Sequence, residues 1–133
     1  MNKVGLIFPG QGSQYAGMGL DSFKLSSFSE NLYNIANEIL DYDIKDITFN
    51  ADLATISNTK YAQPSIFIYN ILASYYLAEK GINFDSVSGH SLGEISALTI
   101  AEVINIEDAL KIIKVRASKM QNSGRKNPGK CWL

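Results

Sequence analysis

Residues 89–93 read Gly-His-Ser-Leu-Gly, so Ser91 has one glycine two positions before it and another two positions after it. This Gly-X-Ser-X-Gly pattern is typical of a nucleophile elbow, a tight turn between a strand and a helix that exposes the serine hydroxyl. Glycine is needed because such a turn brings backbone into close contact on both sides. The pattern predicts that Ser91 is a nucleophile and that the N–H of Leu92, at the helix start, donates to an oxyanion. The alternative is a plain glycine-rich turn.

A second loop, residues 8–14 with the sequence Phe-Pro-Gly-Gln-Gly-Ser-Gln, follows an apolar run near the N-terminus. It is not a dinucleotide-binding fingerprint, because Tyr15 stands where the third glycine is required. The flanking glycines would let the backbone of Gln11 approach a ligand closely. An oxyanion hole needs a second donor from a loop remote from the elbow, and this loop qualifies. A simple turn at a strand end is the alternative.

A charge in an apolar stripe is the third chemical feature. Arg116 lies at helical spacing within a stripe formed by Ala109, Ile112, Ile113 and Met120, and no carboxylate lies three or four positions from it. An unpaired buried guanidinium is costly, so this side chain needs a partner. The partner is a carboxylate elsewhere in the fold, or water reached from the stripe's edge, or the carboxylate of a substrate held by the planar guanidinium.

Composition indicates one globular domain of ordinary type, with 133 residues, 46% hydrophobic, 19% charged and a formal net charge of −1. The absence of a basic cluster argues against nucleic acid as a partner. The longest apolar region, Ile66–Leu77, is interrupted by polar residues and is too short to span a membrane. Cys131 is the only cysteine, so neither an internal disulfide nor a zinc cluster is expected. We expect a soluble, cytoplasmic protein without a metal site.

Strand and helix signals alternate along the chain. The apolar run 4–8 predicts a buried parallel strand, residues 85–88 predict a weak strand, and residues 50–62 look polar and irregular. The predicted helices are residues 27–40 with a capping box of Ser27 and Glu30, a helix with Pro64 as its first residue and an apolar run over residues 66–80, residues 92–102, and residues 106–122 capped by Asn105. Strands joined through helices predict an α/β fold with a parallel sheet.

Together these motifs resemble one family. The segments FPGQGSQ and GHSLGE, an arginine on the following helix, and AQPSIF at residues 62–67 are similar to malonyl-CoA:acyl-carrier-protein transacylases and the related acyltransferase domains of fatty-acid and polyketide synthases. The resemblance runs from Val4 to about Gln121. It implies the N-terminal part of an α/β-hydrolase-like core, with parallel strands and flanking helices, from which the family's ferredoxin-like subdomain is absent.

The resemblance also implies a reaction and its residues. Malonyl would move from malonyl-CoA to Ser91 and then to the phosphopantetheine thiol of acyl carrier protein, without a cofactor. Gln11 and Leu92 would supply the oxyanion-hole N–H groups, and Arg116 would bind the malonyl carboxylate. Gln63 and His90 would line the substrate pocket.

The chain departs from the family at the general base. A serine nucleophile needs a base, and the family takes it from a histidine far beyond the elbow. The only histidine here is His90, whose side chain should diverge from that of its neighbour Ser91. Residues 1–133 are therefore interpreted as a partial acyltransferase domain. The alternatives are an inactive remnant that only binds acyl-CoA or carrier protein, and an esterase or thioesterase with the same core. A hydrolase of neutral esters would have no use for Arg116.

The last residues, 130–133, do not fit the strand that the family has there. One adenine inserted after the Lys130 codon would restore a Lys-Met-Leu reading. We therefore predict a frameshift at this point, which resequencing of the locus would test.

Overall fold

The computed structural model describes residues 2–129, and the predicted frameshift at residues 130–133 lies outside these described residues. Strands and helices alternate in the order β1 (Gly5–Phe8), α1 (Met18–Phe23), α2 (Ser29–Leu40), α3 (Ile44–Asn50), α4 (Leu53–Ile56), α5 (Thr59–Glu79), β2 (Ser86–Gly89), α6 (Leu92–Ile100) and α7 (Ile106–Lys126). The predicted α/β class is confirmed. Three short helices, α1, α3 and α4, were not predicted.

The two strands form a small parallel sheet. Gly5 pairs with Ser86, and the register continues to the pair of Phe8 and Gly89 at the carboxyl ends of both strands. This confirms the predicted parallel pairing and brings the loop after β1 next to the turn after β2. The prediction that the first strand is buried is wrong for the described residues. Only Phe8 is buried, and Ile7 is 82% exposed, because the strands pack on α6 on one side only.

Helix α5 forms the centre of the core, as its apolar composition predicted. It packs against α7 and α6 and also contacts α1 and α3. Its fully or almost fully buried apolar residues are Ala62, Ile66, Phe67, Ile68, Ile71 and Leu72. The site described below therefore rests on a rigid support, since both α6 and α7 are held by this helix.

The predicted start of α5 is wrong. The helix begins at Thr59 and contains Pro64 in its second turn, so the segment 50–62 is not irregular. Proline has no N–H and leaves the carbonyl four residues earlier, that of Lys60, without its helical donor. The Tyr42 hydroxyl donates to the Lys60 oxygen at 2.9 Å and replaces that bond. Burial raises the pKa of Tyr42 above its ordinary value, so the phenol remains a donor.

This replacement can be tested with a double-mutant cycle. Tyr42→Phe should destabilise the fold by about 1 kcal/mol, because it leaves the Lys60 carbonyl without a partner. In a Pro64→Ala background an amide N–H returns to that carbonyl, so the same Tyr42→Phe change should cost much less. Urea unfolding of the four proteins measures both effects. Equal costs of Tyr42→Phe in the two backgrounds would reject the coupling.

The capping box of Ser27 and Glu30 is also wrong. Helix α2 begins at Ser29, and the cap residue Phe28 makes no side-chain bond. The serine that organises this turn is Ser26, whose hydroxyl accepts the Phe28 N–H at 3.2 Å while its carbonyl accepts the Ser29 hydroxyl at 2.7 Å. Serines at positions 26, 27 and 29 lie so close together that the sequence does not determine which of them organises the helix start.

The last two helices follow the prediction at their starts and differ at their ends. The Asn105 side chain accepts the Asp108 N–H at 2.8 Å, which confirms the predicted cap of α7. Helix α7 runs to Lys126 rather than Asn122, and α6 ends at Ile100 because Glu102 adopts a left-handed conformation with φ 59°. No helix within residues 2–129 is long and apolar enough to cross a membrane.

Candidate active site

Ser91 occupies a strained turn between β2 and α6. Its backbone has φ 54° and ψ −112°, a conformation that residues with a side chain rarely adopt. The turn is held by hydrogen bonds from the Gly93 N–H to the His90 carbonyl at 2.9 Å and from the Glu94 N–H to the Ser91 carbonyl at 3.1 Å. The strand, the strained serine and the helix follow each other as the elbow pattern predicted.

The two glycines of the motif are required by packing. A Cβ atom at Gly89 would overlap the backbone of Gly93. A Cβ at Gly93 would lie 2.8 Å from the carbonyl carbon of Phe8 and closer still to its oxygen. The elbow therefore packs closely against the start of α6 at Gly89 and against the end of β1 at Gly93. Only glycine fits at both positions.

The loop after β1 packs directly on the elbow. A Cβ at Gly10 would lie 2.6 Å from the His90 carbonyl oxygen and 3.3 Å from the Ser91 Cβ, so this loop lies next to the serine. The His90 N–H donates to the Phe8 carbonyl at 3.1 Å, and the Gln11 side chain donates to the Thr59 hydroxyl at 3.1 Å. The loop that the sequence singled out thus lies beside Ser91, held between the elbow and the start of α5.

The backbone N–H groups of Gln11 and Leu92 lie near the serine, and neither has an acceptor among the described residues. Leu92 is the first residue of α6, where helical N–H groups have no intrahelical partner. Gln11 follows the glycine that contacts the elbow. These are the two donors that the sequence predicted for an oxyanion, and they remain predictions of role.

Arg116 reaches the serine from α7. Its guanidinium donates through Nη2 to the Ser91 Oγ at 3.0 Å and through Nη1 to the Gln63 Oε1 at 2.8 Å. Both partners are neutral, and no salt bridge to Arg116 occurs among the described residues. Of the partners considered from the sequence, neither an internal carboxylate nor simple exposure to water describes this arrangement. The positive charge faces the Ser91 hydroxyl.

The predicted apolar stripe around Arg116 is wrong in part. Ile112 and Met120 are 46% and 43% exposed, whereas the side chains of α7 that enter the core are those of Ala109, Leu110, Ile113 and Ala117. Arg116 lies at the edge of this buried face and is half-buried. Its placement next to Ser91 therefore follows from the crossing of α7 over α5, not from a position inside the core.

Gln63 accepts a hydrogen bond from the Arg116 guanidinium and fixes its position. The side chain is completely buried in α5, and its Nε2 donates to the Met120 Sδ at 3.2 Å while its Oε1 faces Arg116. An amide oriented the other way would direct a donor at a donor. The structure therefore brings together Ser91, Arg116 and Gln63 and adds Met120, which the sequence did not indicate as part of the site.

Comparison with known proteins gives the family of this chain. Residues 6–130 match a family described as the acyl transferase domain. The chain belongs to the acyl transferase domain family. It is 37% identical over 124 residues to a malonyl CoA-acyl carrier protein transacylase from Bacillus subtilis, covering 92% of this chain and 31% of that protein. A transacylase of the same name from Staphylococcus aureus strain MSSA476 is 36% identical over 120 residues, which is 90% of this chain and 38% of the relative.

Solved structures of the acyl transferase domain family superpose on most of the chain. Malonyl-CoA:ACP transacylase of Synechocystis sp. PCC 6803 has a TM-score of 0.85 at 34% identity, covering 92% of this chain and 41% of that chain. A malonyl-transacylase solved in complex with a type II polyketide synthase acyl-carrier protein has a TM-score of 0.83 at 30% identity, covering 92% and 40%. The family resemblance is confirmed, and the chain spans about two fifths or less of these relatives.

His90 is the one predicted site residue of this acyl transferase domain that stands apart. It is exposed, and no hydrogen bond of its imidazole occurs among the described residues. Its backbone links the elbow to β1, as described above. Among residues 2–129 no group of His, Cys, Asp or Glu side chains that could hold a metal ion occurs.

Proposed function

We propose that this chain carries the nucleophile and the carboxylate-binding residue of a malonyl-CoA:acyl carrier protein transacylase. The observation that carries the proposal is the contact of the Arg116 guanidinium with the Ser91 Oγ, at 3.0 Å and without a carboxylate partner among the described residues. A nucleophile beside a fixed cation suits an acyl group that ends in a carboxylate. The names of the relatives, which refer to malonyl-CoA and acyl carrier protein, support the same substrates.

The proposed reaction has two matched halves. The Ser91 Oγ attacks the thioester carbonyl of malonyl-CoA, the Oγ–C bond forms, and the C–S bond breaks to release coenzyme A. The thiol of the carrier protein's phosphopantetheine then attacks the serine ester, and Ser91 is regenerated. In both halves the carbonyl oxygen becomes an oxyanion, for which the free amides of Gln11 and Leu92 are the proposed donors. No cofactor is required.

The serine proton needs an acceptor in the first half, and the thiol needs one in the second. The described residues around Ser91 offer a guanidinium and an amide, which do not accept a proton at neutral pH. In keeping with the family, we propose that the base is a histidine in the part of an acyl transferase domain that this chain does not span. The same proposal extends the two-stranded sheet into an α/β-hydrolase-like core with a ferredoxin-like subdomain, in a cytoplasmic protein.

The direct test is the serine ester. We expect a protein that carries this chain together with the rest of an acyl transferase domain to gain one malonyl group when it is mixed with malonyl-CoA. Intact mass gives the stoichiometry, and peptide mapping gives the position. A malonyl group on any residue other than Ser91 contradicts the proposal. Hydrolysis of neutral esters without transfer would favour the esterase alternative, and the absence of any ester would favour the inactive remnant.

Arg116 sets the selectivity in this proposal. Arg116→Ala should slow malonyl transfer about ten- to 150-fold, because a hydrogen bond to a charged group contributes about 1.5–3 kcal/mol. Acetyl transfer should fall far less or rise, since acetyl has no carboxylate. Initial rates with malonyl-CoA and acetyl-CoA measure the two effects.

Lys119→Ala is the matched control, because Lys119 is an exposed cation on the same helix. Both donors should react with this variant as with the unchanged protein. If Arg116→Ala slows malonyl and acetyl transfer equally, Arg116 is a structural residue.

A further inference from the structure

The hydrogen bond between Arg116 and Ser91 engages the atom that has to attack. Ser91 Oγ has two lone pairs and one proton, and the charged Nη2–H points at a lone pair from 3.0 Å. A hydroxyl oxygen that accepts from a guanidinium has less electron density available for a carbonyl carbon. In this state the serine is held in place and is a poor nucleophile.

The guanidinium is held in this position from the opposite side by neutral groups. Gln63 Oε1 accepts from Nη1 at 2.8 Å, and Gln63 itself is fully buried and bonded to the Met120 sulfur. The described residues therefore direct Arg116 at the serine but leave its charge uncompensated. A carboxylate that enters the site is a stronger acceptor for the guanidinium than a serine hydroxyl, because charge-assisted hydrogen bonds are about twice as strong as neutral ones.

We propose that Arg116 gates the nucleophile: a carboxylate on the acyl group draws the guanidinium away from the Ser91 Oγ and frees the lone pair for attack. This inference rests on the proposed function in taking the malonyl carboxylate as the natural ligand. It adds that selectivity acts on the reactivity of the serine as well as on substrate affinity. A neutral acyl group leaves the bond between Arg116 and Ser91 in place.

The gate predicts a difference in malonate affinity, which a binding experiment without any reaction can measure. If a carboxylate must break the Ser91–Arg116 bond, removing the serine hydroxyl removes that cost. Ser91→Ala should then bind malonate about three- to ten-fold more tightly than the unchanged chain, which corresponds to the usual net value of one hydrogen bond. Calorimetric titration of the 133-residue chain and of its Ser91→Ala variant with malonate gives both affinities. Malonamide is uncharged, so its affinity should not be higher for Ser91→Ala than for the unchanged chain.

Ser88→Ala is the control, because Ser88 is an exposed serine of β2 that makes no hydrogen bond to Arg116. It should leave malonate affinity unchanged. A crystal structure of the malonate complex supplies a second measurement, in which the distance between Nη2 and Oγ should exceed 3.5 Å. Circular dichroism before the titration verifies that each variant is folded.

Each outcome decides the gate separately from the proposed function. Equal or weaker malonate binding by Ser91→Ala, no malonate binding by either protein, or an intact Arg116–Ser91 bond in the complex would each overturn the gate. None of these results bears on whether Ser91 forms a malonyl ester, which the mass measurement decides. Conversely, the absence of an ester rejects the transacylase and leaves the malonate affinities to be interpreted as a property of the arginine site.

Discussion

Ser91→Ala is expected to abolish the malonyl ester and to reduce malonyl transfer at least about a thousand-fold, because no other hydroxyl replaces the attacking atom. The fold should remain intact, since the strained φ of 54° is imposed by the glycine contacts on both sides of the serine and not by its hydroxyl. The measurement is the intact mass after incubation with malonyl-CoA, together with the transfer rate to a carrier protein. Both should fall to the level of the reaction without enzyme.

Ser88→Ala again provides the comparison, because it removes a hydroxyl from β2, the strand that precedes the turn, and Ser88 has no hydrogen bond to Arg116 or Ser91. Ester formation and transfer should both persist in that variant. If Ser91→Ala still transfers malonyl at an appreciable fraction of the original rate, Ser91 is not the nucleophile and the transacylase proposal fails. This outcome would also remove the reason for a gate at this serine.

The sequence predicted the features of this site that depend on local geometry. Glycine is required at positions 89 and 93 because backbone approaches backbone closely at both. This requirement determines the residue type, so it can be recognised in the sequence. The parallel pairing of the two strands was predicted from strands joined through helices, and the burial of α5 was predicted from its apolar composition. Asn105 was recognised as a cap because its bond to Asp108 spans only three residues.

The predictions that were wrong concern contacts between segments that are distant in the sequence. Pro64 looked like a helix start because a free carbonyl inside a helix is costly, and nothing nearby in the sequence indicated that Tyr42 would bond to it. Arg116 was placed in an apolar stripe, but the direction from which α5 and α7 cross puts Ile112 and Met120 outside the core. The contact of Arg116 with Ser91 joins residues 25 positions apart, and only the fold brings them together.

The second large effect is expected from substitution of Gly93, which should lower the stability of the fold. Gly93→Ala should destabilise the fold by at least about 2 kcal/mol, because the new methyl group would meet the carbonyl of Phe8, and two backbone segments cannot separate without opening the elbow. The gain in helix propensity from glycine to alanine, about 1 kcal/mol, is too small to offset this overlap. Any Gly93→Ala protein that still folds should also lose ester formation, since the Ser91 backbone would be displaced. Urea unfolding measures the first effect, and the mass of the protein after malonyl-CoA treatment measures the second.

Gly124→Ala separates this local overlap from the general effect of adding a methyl group to a helical glycine. Gly124 also lies in a helix, α7, but a Cβ at that position would meet nothing within 4 Å. The substitution should therefore stabilise the fold by about 0.5–1 kcal/mol and leave the serine reaction unchanged, because only the propensity difference acts there. Opposite signs for the two alanine substitutions would identify the contact between the elbow and β1 as the constraint that places Ser91. If Gly93→Ala were as well tolerated as Gly124→Ala, the tight packing of the elbow would not determine the position of the serine.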